Sequence, residues 1–219
     1  MRGNSIRVFA PATVANVAAG FDILGFAVNE PGDEVILRLT NNGCIHISKI
    51  TGDEGKLPTT SEKNTAGISV IRFLEHIGSD QGIDIELHKR MPLGSGMGSS
   101  AASAVAAVFA ANKLVGEPLT ARELLPFALE GEALACGVGH ADNAAPSLLG
   151  GFILIRSYNP LDIVPILTPE KLFCTLLHPQ IEVLTDDARK ILRKSILLKD
   201  AITQWGNVAG LIAGLITSD

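Results

Sequence analysis

Cysteine is scarce. The 219-residue chain has three, Cys44, Cys136 and Cys174, widely spaced and odd in number. That pattern fits neither a disulfide framework nor a zinc site, and it suggests a reducing cytosol. Cys136 stands near a polar cluster described below, although a small buried residue is the plainer reading. Charge is also sparse, at 19% of residues with a net charge of −5 and no long basic run. A nucleic-acid partner held through phosphate contacts is therefore not expected. No uninterrupted apolar segment reaches membrane-spanning length. The first residues, Met1-Arg-Gly-Asn-Ser-Ile-Arg7, carry no apolar signal core. The expected location is cytoplasmic, with no membrane partner. Internal repeats and low-complexity segments are absent. With 47% hydrophobic residues, the chain is long enough for one large or two small folded domains.

The stretch Met91-Pro-Leu-Gly-Ser-Gly-Met-Gly-Ser-Ser-Ala-Ala-Ser103 stands out, with Gly94, Gly96 and Gly98 alternating through a short loop. The Ala-rich run that follows, with Val105, Val108, Phe109 and Leu114, predicts a helix. Glycine lets backbone N–H groups turn inward, and a helix N-terminus adds a positive dipole end. Together they make an anion site, most often for phosphate. The alternative is a flexible turn before an ordinary helix. No Gly-Lys-Ser/Thr follows, which excludes a Walker A loop, and the chain has no H-R-D or D-F-G run of a protein kinase.

Around this loop, strand-like and helical patterns interleave, an α+β signature. Ile6–Ala10 reads as a short strand, and Pro11–Gly25 as a loop too rich in small residues for a simple strand. Asp33–Leu39 and Cys44–Lys49 read as a hairpin joined by Asn41-Asn42-Gly43. Thr51–Thr60 reads as a surface loop. A helix is expected from Asn64, a candidate N-cap, to Gly78, and a half-exposed strand over Ile83–His88. Thr120 and Glu123 form a capping box for a helix to Ala135. Glu130 and Glu132 then oppose the dipole at its C-terminal end; a metal ion or plain solvent exposure would explain them. Gly137–Pro146 reads as a second glycine-punctuated loop, carrying His140, Asp142 and Asn143. Strands are expected at Gly150–Ile155 and Leu172–His178, and helices at Thr185–Lys194 and Lys199–Leu215. Asn159-Pro160 marks a turn and a candidate division into domains 1–160 and 161–219. Asn16 and Asp22 are polar points in an apolar segment; each is either local turn chemistry or part of a ligand site.

Three separated motifs together resemble the GHMP superfamily of small-molecule kinases, and within it most closely the homoserine kinase family. They are Pro11-Ala-Thr-Val-Ala-Asn-Val-Ala-Ala-Gly-Phe-Asp-Ile-Leu-Gly25, Pro92-Leu-Gly-Ser-Gly-Met-Gly-Ser-Ser-Ala-Ala102 and His140-Ala-Asp-Asn-Ala-Ala-Pro-Ser-Leu-Leu-Gly-Gly151. The resemblance implies an N-terminal domain like domain 2 of ribosomal protein S5, a C-terminal ferredoxin-like sandwich, and an active site between them. It implies ATP as cofactor, its phosphates held by Pro92, Leu93, Gly94, Ser95, Gly96, Met97, Gly98, Ser99 and Ser100, with Asn64 near the adenine and Lys89 at a nucleotide-facing place. Mg²⁺ would be held by Ser100 and Glu132, hard oxygen ligands that suit it. The implied reaction is ATP-dependent phosphorylation of the L-homoserine hydroxyl, a step of threonine biosynthesis. Asp22 would meet the substrate ammonium, Arg189 the carboxylate, and Asn16, His140 and Asn143 the hydroxyl end. An amide at Asn143 cannot act as a general base; the family implies that the γ-phosphate takes the proton, while Asp142 is the alternative base. The family commonly forms a homodimer, which nothing in the sequence shows.

The family's C-terminal glycine-rich motif and second carboxylate-binding arginine have no counterpart in this chain. A C-terminally incomplete second domain is therefore expected. Two other readings follow: a kinase of the same superfamily for another small alcohol, or an impaired fragment that binds nucleotide or amino acid without turnover.

Overall fold

In the computed structural model, residues 4–177 and 189–218 are described, the side chains of residues 135 and 136 excepted. One six-stranded sheet carries the fold, in the order β3-β4-β2-β5-β6 with β1 paired to β2. Its backbone is the long hairpin of β1 (Ser5–Val17) and β2 (Gly20–Thr40). The first half of β2 pairs with β5 (Phe152–Tyr158) and the second half with β4 (Gly82–His88), so β2 belongs to both halves of the sheet. The segment expected as a loop, Pro11–Gly25, is the tip of this hairpin. Small residues there are extended because the long antiparallel ladder supplies their hydrogen bonds.

A second expectation also fails. Asn41-Asn42-Gly43 does not close a hairpin, because β3 (Ile45–Thr51) pairs with β4 in parallel and lies one strand away from β2. Parallel pairing requires a crossover. It is α1 (Thr65–His76), which packs back on β3. β6 (Leu161–Ile166) was not expected from the sequence. It pairs with β5, so the sheet continues past the division expected at residue 160. Leu172–Leu177, expected as strand, has no regular structure, and His178 lies outside the described residues, as does the start of the helix expected at Thr185.

Along β2 and β4, Val35, Leu37, Ile83, Ile85 and Leu87 point to a buried face, while Arg38, Asp84 and Glu86 pair on the other. The buried face is covered by α2 (Ser99–Leu114), which packs on β1, β2 and β4. Ala-rich α2 is buried all round, because its small side chains let the sheet, α1 and α3 approach together. α3 (Ala121–Cys136) starts at the expected capping box of Thr120 and Glu123. α4 (Ala141–Leu149) packs on β1, β2 and β5. It replaces the second half of the expected Gly137–Pro146 loop, so Asp142 and Asn143 lie in a helical first turn. α5 (Leu198–Thr217) has no buried residue; Trp205 is 63% exposed.

Gly25 is where α4 meets the sheet. A Cβ there would overlap the carbonyl oxygen of Asp142. Gly25→Ala is expected to lower the unfolding free energy by about 2–3 kcal/mol, as over-packing of a tight contact does, measured by urea denaturation.

Candidate functional site

The glycine loop adopts the conformation that only glycine takes cheaply. Gly94, Gly96 and Gly98 have φ of 70°, 71° and 68°. Gly98 is the N-cap of α2, and a Cβ on it would overlap the Thr13 hydroxyl and come within 2.7 Å of Asn143 Oδ1. Thr13 itself donates to Asn143 Oδ1 at 2.8 Å, and its N–H bonds to the Met97 carbonyl at 3.1 Å. β1, α4 and the loop exit thus meet at one point. The loop opens on a cavity of about 720 Å³. Leu93, Gly94, Ser95, Gly96, Gly98, Ser99 and Ser100 line it, as do Asn16, Asn64, Lys89, Glu132, His140, Asn143 and Arg189. The N–H groups of a helix's first turn lack intrahelical partners, and here that turn borders the cavity.

Two side chains near the glycine loop have structural duties. Asn64 caps α1, accepting from the Ala66 N–H at 3.0 Å and donating to the Pro58 carbonyl at 2.8 Å. The Lys89 ammonium is held beneath the loop by Asp33, the Ser99 carbonyl (2.8 Å) and Ser103 Oγ (2.6 Å). Burial pushes it below its ordinary value, and the Asp33 carboxylate opposes that shift. Leu57, Pro58, Lys63 and Thr65 also border this end of the cavity; no motif in the sequence singles them out.

Glu132 comes from α3 and is 3% exposed. The Ser100 hydroxyl donates to its Oε1 at 2.8 Å. The two oxygens fit part of the shell of a hard cation completed by phosphate and water. Among the described residues, no group of three His, Cys, Asp or Glu could hold a metal by itself.

The hairpin tip brings Asn16 and Asp22 together, both left-handed (φ 55° and 60°), with the Asp22 N–H donating to Asn16 Oδ1 at 2.8 Å. Local turn chemistry and proximity to the site are therefore both present. Asp22 Oδ1 accepts from Arg189 at 2.6 Å, and the Arg189 guanidinium lies 5.6 Å from the Phe21 ring centroid. Next to them, His140 is buried, and its Nε2 has no hydrogen-bond partner among the described residues. Burial holds its pKa below the usual value, helped by Arg189 and opposed by Asp22. Asp142, 1% exposed, is raised from 3.8 to about 6 by burial and then by the Asp22 charge. Tyr158 donates from its hydroxyl to the Asp22 carbonyl at 3.1 Å, and burial and the Asp142 charge raise it to about 12.

Residues 64–151 match the GHMP kinases N terminal domain. The chain is 59% identical to the homoserine kinase of Chlorobium phaeovibrioides, a match covering 98% of this chain and 70% of that protein. The chain belongs to the homoserine kinase family. The crystal structure of homoserine kinase from Cytophaga hutchinsonii superposes with a TM-score of 0.97 at 59% identity, covering 100% of this chain and 70% of that one. The Methanococcus jannaschii mevalonate kinase, at 16% identity and a TM-score of 0.59, shares the fold alone. The expected α+β architecture and superfamily are thereby established, and this homoserine kinase family member is an enzyme of the phosphotransferase class. No helix among the described residues is long and apolar enough to cross a membrane.

Asp142 makes a signed prediction. Its folded-state pKa lies above the ordinary 3.8, so the folded chain holds a proton that the unfolded chain releases. Its stability contribution is full below about pH 4 and is lost as pH rises through about 6, by about 2–3 kcal/mol. The difference in melting temperature between the parent and Asp142→Asn, followed from pH 4 to 7, should show that decline. The His140 contribution cancels in the comparison.

Proposed function

We propose that the cavity transfers the γ-phosphoryl group of ATP to the side-chain hydroxyl of L-homoserine. The observation that carries this reading is a glycine loop at a helix N-terminus and Arg189, paired with Asp22 at the rim, on one cavity. The first suits a polyphosphate. The second suits a zwitterion, which would exchange the internal pair for its own ammonium on Asp22 and carboxylate on Arg189. A neutral sugar or another simple alcohol would leave that pair unused. Mg²⁺ fits Ser100 and Glu132, and when bound it would neutralise charge on the phosphates.

No step requires a protein base. Asn143 sits against Gly98 at the loop exit, and its amide cannot take a proton. The homoserine hydroxyl attacks the γ-phosphorus, the bond to the ADP oxygen breaks, and the hydroxyl proton passes to a γ-phosphate oxygen. A loose transition state makes positioning and electrostatics sufficient for much of the rate. Asn16 and His140 would fix the substrate's orientation beside the hairpin tip. Asp142 also borders the cavity, near the Asp22 and Arg189 charges beside the hairpin tip.

Steady-state kinetics with ATP and L-homoserine on parent, Arg189→Ala and Asp142→Asn test the reading. Arg189→Ala should raise the KM for homoserine about 10- to 100-fold, the loss of charge-assisted hydrogen bonds, with little change in the KM for ATP. Asp142→Asn should retain turnover. An unchanged homoserine KM in the first variant would defeat the amino-acid assignment, and near-total loss of kcat in the second would make Asp142 the base.

A further inference from the structure

Asp33 is fully buried, and above it figures only as the partner of Lys89. It stands on β2 one step beyond the last ladder pair, Glu34 with His88, which sets it opposite Lys89. Both of its oxygens are occupied. Oδ1 accepts from the backbone N–H groups of Arg90 at 2.8 Å and Met91 at 3.2 Å. Oδ2 accepts from Ser99 Oγ at 2.8 Å and from Lys89 Nζ. Arg90 and Met91 enter the glycine loop, and Ser99 leaves it as the first residue of α2. Lys89 adds bonds to the Ser99 carbonyl and Ser103 Oγ, and Ser103 donates to the Ser99 carbonyl at 3.1 Å. One carboxylate therefore ties the two ends of the loop to each other and to the sheet.

The energetics point to a role other than stability. A buried ion pair is a weak source of stability compared with an apolar pair of the same size. A loop with three left-handed glycines is costly to order. Ordering its ends during folding removes that cost from ligand binding.

We infer that Asp33 is a positioning residue for the phosphate-binding loop: it fixes the spacing between loop entry and exit, so the cradle exists before nucleotide binds. The inference rests on reading the loop as a phosphate site. Two measurements test it. In the unaltered chain without nucleotide, the Arg90 and Met91 amides should be protected from hydrogen exchange as strongly as those of β4. Exchange at open-loop rates until nucleotide is added would overturn the inference. The second measurement compares Asp33→Ala with Lys89→Met, which leaves no charge unpaired, against Lys89→Met alone, so that any direct contribution of Lys89 to nucleotide binding cancels. Calorimetric titration with Mg²⁺ and a non-hydrolysable ATP analogue should show affinity weaker by about tenfold or more, the scale of losing charge-assisted hydrogen bonds. Homoserine affinity in the folded variant should stay within about twofold, since its contacts lie across the cavity. Unchanged nucleotide affinity in the folded variant would overturn the inference. If the double variant fails to melt cooperatively, the exchange measurement decides alone. Failure of the unaltered chain to bind the analogue would overturn the phosphate reading, and this inference with it.

Discussion

A buried carboxylate at the junction of β2, β4 and α2 sets the geometry on which the cavity depends. The antiparallel register of β2 and β4 delivers Asp33 opposite Lys89, at the point where β4 ends and the glycine loop begins. Ser99, the first residue of α2, closes the same network. The helix can sit there because its alanines allow burial on all sides. Its N-terminus is thereby held at the cavity wall, where its dipole favours an anion. Strand register, helix composition and loop chemistry thus converge on one small volume.

The opposite wall is built differently. Asn16 and Asp22 reach the cavity edge from the tip of the β1–β2 hairpin, and the left-handed backbone at each is stabilised by the bond between them. α4 places Asp142 towards this tip and Asn143 towards the glycine loop, so adjacent residues serve opposite walls. Gly25 makes this seating possible by leaving room for the α4 backbone. The glycine-loop wall is therefore backbone-rich, while the other wall carries the half-buried Asp22–Arg189 pair.

Local signals were legible where local chemistry decides the structure. The Asn64 cap, the Thr120–Glu123 box and the Gly94–Gly98 loop each announce themselves in a few residues, and the structure has all three. Pairing partners were not legible. Asn41-Asn42-Gly43 is a good turn, yet β3 pairs in parallel with β4 and not with β2, a choice made by packing beneath α1. The small residues of Pro11–Gly25 hide strands whose stability is tertiary. α4 was obscured because Gly137, Gly139 and Pro146 look like loop punctuation. At the site, the motifs brought out Asn16, Asp22, Ser100, Glu132, His140, Asn143 and Arg189, which lie on or beside one cavity. Asp33 was missed although its signal was present: period-two alternation puts it on the face of Val35 and Leu37, and an acid on an inward face needs a partner.

The proposed transfer requires nucleotide and amino acid to occupy two ends of one cavity at the same time. Calorimetric titration of L-homoserine into the chain saturated with Mg²⁺ and a non-hydrolysable ATP analogue tests it most directly. One homoserine should bind per chain with the nucleotide still in place. Displacement of the nucleotide by homoserine, or no homoserine binding to the nucleotide-saturated chain, would contradict it.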